Sequence, residues 1–155
     1  MATEKWIAGS GVGLTWTDAF STATLNSIAS TNAILSDLQI DNSTALDLFC
    51  DISIVLASAA FVAPNLIGVY LYPLNKDGTT YGDGRFGTSA AGPPPGAYYR
   101  GQIPIVAVTQ AQEGTLLGII LPPGKFKFVL QNQGGVALAS SANTCQYRTY
   151  NRAIA

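Results

Sequence analysis

Between Ile52 and Leu74 the chain carries no charged residue, yet Pro64-Asn65 interrupts that run near its middle. A membrane-crossing helix needs about 20 apolar residues without such a breaker, so the run is predicted to form two β-strands instead. The residues leading into it sharpen the assignment. Leu46, Leu48, Cys50, Ile52, Ile54 and Leu56 alternate with Asp47, Phe49, Asp51, Ser53, Val55 and Ala57. Successive strand side chains point to opposite faces, so a period of two builds an apolar row facing inward and a mixed row facing outward. The pattern is that of a core strand in an all-β, antiparallel sandwich.

A chain of 155 residues fits one domain, long enough to bury a core without metal or disulfide staples. Charged residues make up 11% of it, against about 25% for an ordinary soluble domain. Disorder is not the reason, because hydrophobic residues are 48%. The surface must be built largely from small and neutral polar residues. Such a surface suits packing against other protein, since charge is depleted at interface cores. An assembly subunit is therefore predicted over a neutral domain with no permanent partner. Net charge is −1, and Lys and Arg are scattered singly. No basic stripe exists for nucleic acid. Met1–Lys5 shows no basic stretch running into an apolar one, so no signal peptide is predicted. Cys50 and Cys145 are accordingly expected as two buried, reduced thiols rather than a disulfide.

Residues 1–17 read as an extended N-terminal arm, with Gly9, Gly11 and Gly13 among Trp6, Ile7, Leu14 and Trp16. Large apolar side chains on an arm need a surface, either the domain's own flank or a neighbouring subunit. Residues 18–155 are expected to form a single domain. Phe20, Leu25, Ile28 and Leu35 predict one or two short helical turns at its start, capped by Thr17 or Asp18. Strands are then expected near 37–41, 46–57, 66–73, 102–109, 115–121, 125–131, 135–139 and 144–151. Turn chemistry separates them at Asn75–Gly78, Gln112–Gly114, Pro122–Gly124 and Gln133–Gly135. Eight short strands with such turns point to two packed antiparallel sheets. A long loop at 79–100 is too rich in Gly and Pro for regular structure. Loops of that length are usually functional, and this one carries Arg85, Phe86, Tyr98, Tyr99 and Arg100, residue types enriched at interface hot spots. Together with Trp6 and Ile7 they are the candidate interface residues. The competing expectation is a loop folded over one end of its own sandwich.

The chain has no histidine, which removes Ser-His-Asp and Cys-His nucleophile systems and His-containing metal sites. Asp47 and Asp51 fall about 13 Å apart on one strand face at about 3.3 Å per residue. That exceeds the roughly 5–9.5 Å of a glycosidase pair, so both are expected to be solvated strand charges. Asn75, Asp77 and Asp83 lie close enough in sequence to suggest calcium, but they lack the order and closing glutamate of an EF-hand. No Gly-rich segment matches a phosphate cradle. The expectation is a protein that is not an enzyme, with no catalytic residues, no metal and no cofactor.

Several phrases occur together: Asp47–Ser53, Ala63–Leu74, Tyr81–Phe86, Leu121–Phe128 and Tyr147–Asn151. In these the chain, over about Trp16–Asn151, resembles the jelly-roll cement or decoration proteins on the capsids of tailed bacteriophages. The resemblance implies a β-sandwich of jelly-roll type and a structural role on the capsid exterior, reached after synthesis in the host cytoplasm. It also implies two partners: the major capsid protein, whose subunits it would bridge, and itself, as a homodimer or homotrimer. No nucleic acid and no membrane are expected. The family supplies no catalytic residues and no fixed contact motif to transfer. Two other expectations stand beside it, a tail or fibre-associated virion module and a carbohydrate-binding sandwich with Tyr70, Tyr72, Tyr98 and Tyr99 as a sugar platform.

Overall fold

Strand pairs nest along the chain, last with first. The computed structural model describes residues 4–9, 14–62, 66–84 and 90–154. Its strands are β1 (Glu4–Ala8), β2 (Thr17–Asp18), β3 (Asn32–Leu35), β4 (Ile40–Asp41), β5 (Phe49–Leu56) and β6 (Leu66–Pro73). They continue with β7 (Ala90–Ala91), β8 (Tyr99–Pro104), β9 (Gln112–Ile120), β10 (Lys125–Asn132) and β11 (Thr144–Ile154). β2 pairs with β11, β3 and β4 with β10, β5 with β9, and β6 with β8, all antiparallel. One sheet runs β1-β11-β5-β9, with β2 also on β11; the other runs β7-β3-β10-β6-β8, with β4 also on β10. A ribbon of nested pairs folded over itself so that alternate pairs enter opposite sheets is a jelly roll. The expected all-β, antiparallel sandwich is the observed fold.

Alternation builds the core between the sheets. Cys50, Ile52, Ile54 and Leu56 of β5 are buried, and so are Ile67, Val69 and Leu71 of β6 and Phe126, Phe128 and Leu130 of β10. Each such side chain contributes about 1.5–3 kcal/mol on leaving water. The inward row begins at Cys50, however. Leu46 and Leu48 are exposed, because Leu46 takes φ +50 and breaks the extended run before β5 starts. Both thiols are buried and free. Cys50 lies opposite Thr149 and Cys145 opposite Ile54, so the register does not match them. Burial pushes both thiols well above the usual range.

Three expectations need correction. One helical turn forms as expected, Thr22–Leu25, but its N-cap is Ser21 and not Thr17 or Asp18. The chain then turns through positive φ at Ser27 and Thr31, and Asn32–Leu35 enters the sheet as β3. The strand expected at 135–139 is an irregular segment: Leu138 is buried in the core, its N–H donating to Ile28 O, and Asn132 Nδ2 donates to Val136 O. Gln112–Gly114 is no turn but the start of β9. Gly114 is small there because the two sheets approach, and a Cβ would collide with Ile103. Within the arm, Glu4–Ala8 forms an edge strand along β11, from Glu4 opposite Ile154 to Ala8 opposite Tyr150.

Candidate interaction surface

The two outer faces are finished differently. On the six-stranded sheet, Tyr70, Tyr72, Val129 and Ala33 are buried although they face away from the main core. The chain's own loop covers them. Tyr98 lies over Tyr72 with ring centroids 4.5 Å apart, and Tyr99 meets Tyr70 edge-on at 5.3 Å. Lys127 Nζ sits 5.2 Å above the Tyr81 ring, whose hydroxyl donates to Gln39. Gly82, at φ +55, packs directly on Tyr72, where a Cβ would overlap the ring. Asp77 fixes the turn by accepting from Thr79 N, Thr80 N and Thr80 Oγ1, and those bonds lower its pKa to about 2.

The outer face of the five-stranded sheet carries no such cover among the described residues. Register places Phe49, Asp51, Ser53 and Val55 opposite Tyr150, Arg148, Gln146 and Thr144 on that face. Trp6 of β1 joins them. It stands edge-on to Tyr150 at 5.2 Å and to Phe49 at 6.0 Å, while Phe49 and Tyr150 stack at 5.7 Å. Arg152 lies 5.5 Å over the Trp6 ring and pairs with Glu4. The indole is therefore held in place yet remains 62% exposed. Across the sheet, Leu117 and Ile120 of β9 are 66% and 70% exposed.

Asp51 anchors the middle of this face and is itself only 3% exposed. Its carboxylate accepts from Arg148 Nε at 3.0 Å and Nη2 at 2.9 Å, from Tyr150 OH at 2.9 Å and from Gly118 N at 3.0 Å. Gly118 reaches that position through φ +70, at the point where the β5–β9 register shifts. Glycine adopts this conformation at no steric cost. Burial, followed by the bond to Asp51, pushes the Tyr150 hydroxyl up to about 12. Arg148 in turn stacks 4.7 Å over Trp16. The expectation of solvated charges at Asp47 and Asp51 is thus overturned. Asp47 is buried too, with its N–H on Asn42 Oδ1 and its Oδ1 receiving Asn151 Nδ2.

The structure separates the candidate interface residues. Trp6 and Ile7 are exposed on β1. Arg85 and Phe86 lie outside the described residues. Tyr98 packs on its own domain, as the competing reading of the loop expected. Tyr99 and Arg100 open β8 and line a shallow cleft of about 510 Å³ with Gly118–Pro122 of the neighbouring sheet. Phe49, Tyr150, Leu117 and Ile120 were missed. Leu117 and Ile120 hid in the apolar run 116–120, where only the pairing register reveals which phase points outward, whereas Phe49 stood in the outward row and lacked a visible partner until Tyr150 was set opposite it. The proposed sugar platform is not assembled, since Tyr70 and Tyr72 are 6% and 0% exposed. Among the described residues no three His, Cys, Asp or Glu side chains are grouped to hold a metal ion, and no helix is long and apolar enough to cross a membrane.

Comparison with protein-family models, with curated proteins and with solved structures finds no match to this chain. The surface has to be read from its own chemistry. It offers exposed apolar side chains around central charges, Asp51 with Arg148 and Glu4 with Arg152, that are paired within the sheet, an arrangement suited to another protein surface.

Proposed function

We propose that this protein is a non-enzymatic structural component of a phage virion that decorates and cements the capsid by bridging major capsid subunits. One observation carries the reading: a sheet face with Trp6, Leu117 and Ile120 exposed and its central charges neutralised by Glu4–Arg152 and Asp51–Arg148, Glu113 at the β9 margin standing apart. Charges satisfied in this way lose little when a partner displaces water. The resemblance of Asp47–Ser53, Ala63–Leu74 and Leu121–Phe128 to cement proteins supplies the particle. A subunit that self-associates and touches several shell proteins at once gains effective concentration, so each contact can be weak. No comparable observation favours the sugar-binding alternative, since Tyr70 and Tyr72 of its platform are covered.

Pelleting with expanded and unexpanded shells tests the proposal. The protein is expected to co-sediment with expanded shells, and Trp6→Ala to release it without lowering the melting temperature by more than a few degrees. Retention by purified tails and not by heads would move the protein to a tail or fibre position. Failure to bind any particle would refute the virion reading.

A further inference from the structure

β9 is an edge strand. It pairs with β5 on one side, and no described residue pairs with its other side. Native edges are blunted by charged side chains, proline or a β-bulge; β9 contains neither Lys nor Pro, and of these devices it has a single acidic residue, Glu113, and one bulge. Its ladder is interrupted at Leu117-Gly118, where the Gly118 N–H is drawn back to Asp51. Exposed apolar side chains flank this margin at both ends, with Glu113 and Thr115 between them. Leu117 and Ile120 are exposed on the strand itself, and Tyr99 lies by the cleft at its far end. Val106 and Val108 continue the line near Gln112, whose side chain clasps the Val106 backbone through N–H and C=O.

The formal charges beside the edge sit at opposite ends. Glu113 is near the start of β9, while Arg100 lies in the cleft with Gly118–Pro122. Neither forms an ion pair with a described residue. Among the described residues Arg100 Nη1 donates only to the backbone oxygens of Ala97 and Tyr99.

We propose that the β9 edge seats a second copy of this chain, related by a two-fold axis crossing the strand near Leu117. Two-fold symmetry makes the contact self-complementary. With the two β9 strands antiparallel, the Glu113 end of each copy lies on the Arg100 end of the other. Both charges are then compensated, twice over, and Leu117 of each copy lies beside its equivalent near the axis, while the outer sheet face stays open to a further partner. The inference names the self-association surface of the function proposed above and rests on that reading only for its setting in a particle.

Sedimentation equilibrium of the free, full-length protein tests it. A dimer is expected, and Glu113→Arg or Arg100→Glu alone is expected to weaken it by about tenfold or more. Mixing the two variants restores association, because the mixed pair sets opposite charges at both ends; the double variant does the same. Unchanged melting temperatures confirm that both variants fold. A wild-type protein that stays monomeric to about 1 mM, single reversals that leave the dimer intact, or a mixture that fails to recover would each overturn the proposal. Shells are absent from this assay. A dimer that ignores shells therefore counts against the capsid reading alone, and a monomer that binds them counts against this inference alone.

Discussion

Asp51→Ala removes the acceptor of four donated hydrogen bonds from the middle of a sheet face. Breaking a buried ion pair by deleting one partner costs about 3–5 kcal/mol. Arg148 keeps 34% of its side chain exposed and stacks on Trp16, so its charge can recover water, which puts this share near 3 kcal/mol. The Gly118 N–H and Tyr150 hydroxyl lose their acceptor as well, adding about 1 kcal/mol. A loss near 4 kcal/mol is large against the roughly 5–15 kcal/mol that holds a domain folded. Asp51→Asn retains an acceptor for Gly118 and Tyr150 but turns an amide donor toward the guanidinium, and is expected to cost about 2 kcal/mol. Urea unfolding reads both as a lowered midpoint at unchanged slope. A cycle with Arg148→Ala should show a coupling above about 1 kcal/mol, since the two side chains share one network. An Asp51→Ala loss below about 1 kcal/mol, or an additive cycle, would refute the reasoning.

Tyr98→Ala uncovers Tyr72 and is expected to cost about 3 kcal/mol as a large-to-small change over a packed ring, read by thermal melting; a loss within experimental error would place Tyr98 at an interface instead. Gly82→Ala drives a methyl into the same ring at positive φ and should destabilise by at least about 1–3 kcal/mol in the same assay. Cys50 and Cys145 are expected to resist thiol reagents in the native protein and to react fully once it is unfolded, with no change on prior reduction. The raised Tyr150 pKa makes a pH prediction: its contribution is fully present below the unfolded value of 10 and is lost as pH rises through about 12. The melting temperature should therefore fall in step with tyrosinate absorbance over that range, and Tyr150→Phe should flatten the fall.

The sandwich was legible because alternation is a local signal. Ile52, Ile54 and Leu56 announce their face without reference to any other strand, and 66–73 was bounded to the residue as β6. What stayed illegible depends on neighbours distant in sequence. Asp51 reads as a solvated charge until Arg148 and Tyr150 arrive from the last strand. Gly114 reads as a turn until Ile103 is set against it. Asn32–Leu35 follows a helical spacing from Phe20 but pairs with β10, where ladder bonds outweigh weak propensity. The candidate interface was half visible: Trp6 and Tyr99 stand out as aromatic, whereas Leu117 and Ile120 sit in Leu-Leu-Gly-Ile-Ile, which looks like core. A register shift at Leu117-Gly118, undetectable in the sequence, turns Ile120 to the same outer face as Leu117.

The contrast between the two outer faces separates stability from binding. Covering the six-stranded sheet requires the ordering of a long loop, at about 1–2 kcal/mol of backbone entropy per residue, and the tyrosines beneath it offset that cost. On the five-stranded sheet the polar groups are instead satisfied in plane: Asp51 with Arg148, Glu4 with Arg152, Gln146 with Asp18 and Thr115 with Ser53. Away from Glu113 at the β9 margin, a partner docking there need not supply matching charges. It has only to exclude water from Trp6, Leu117 and Ile120, so the desolvation penalty that usually erodes affinity has largely been met within the sheet. It follows that the two sets of side chains should respond differently to substitution. Changes to the in-plane pairs lower stability and partner binding together, whereas truncation of Trp6, Leu117 or Ile120 lowers binding alone. A Trp6 variant that unfolds as readily as an Asp51 variant would show that the indole belongs to the fold and not to the contact.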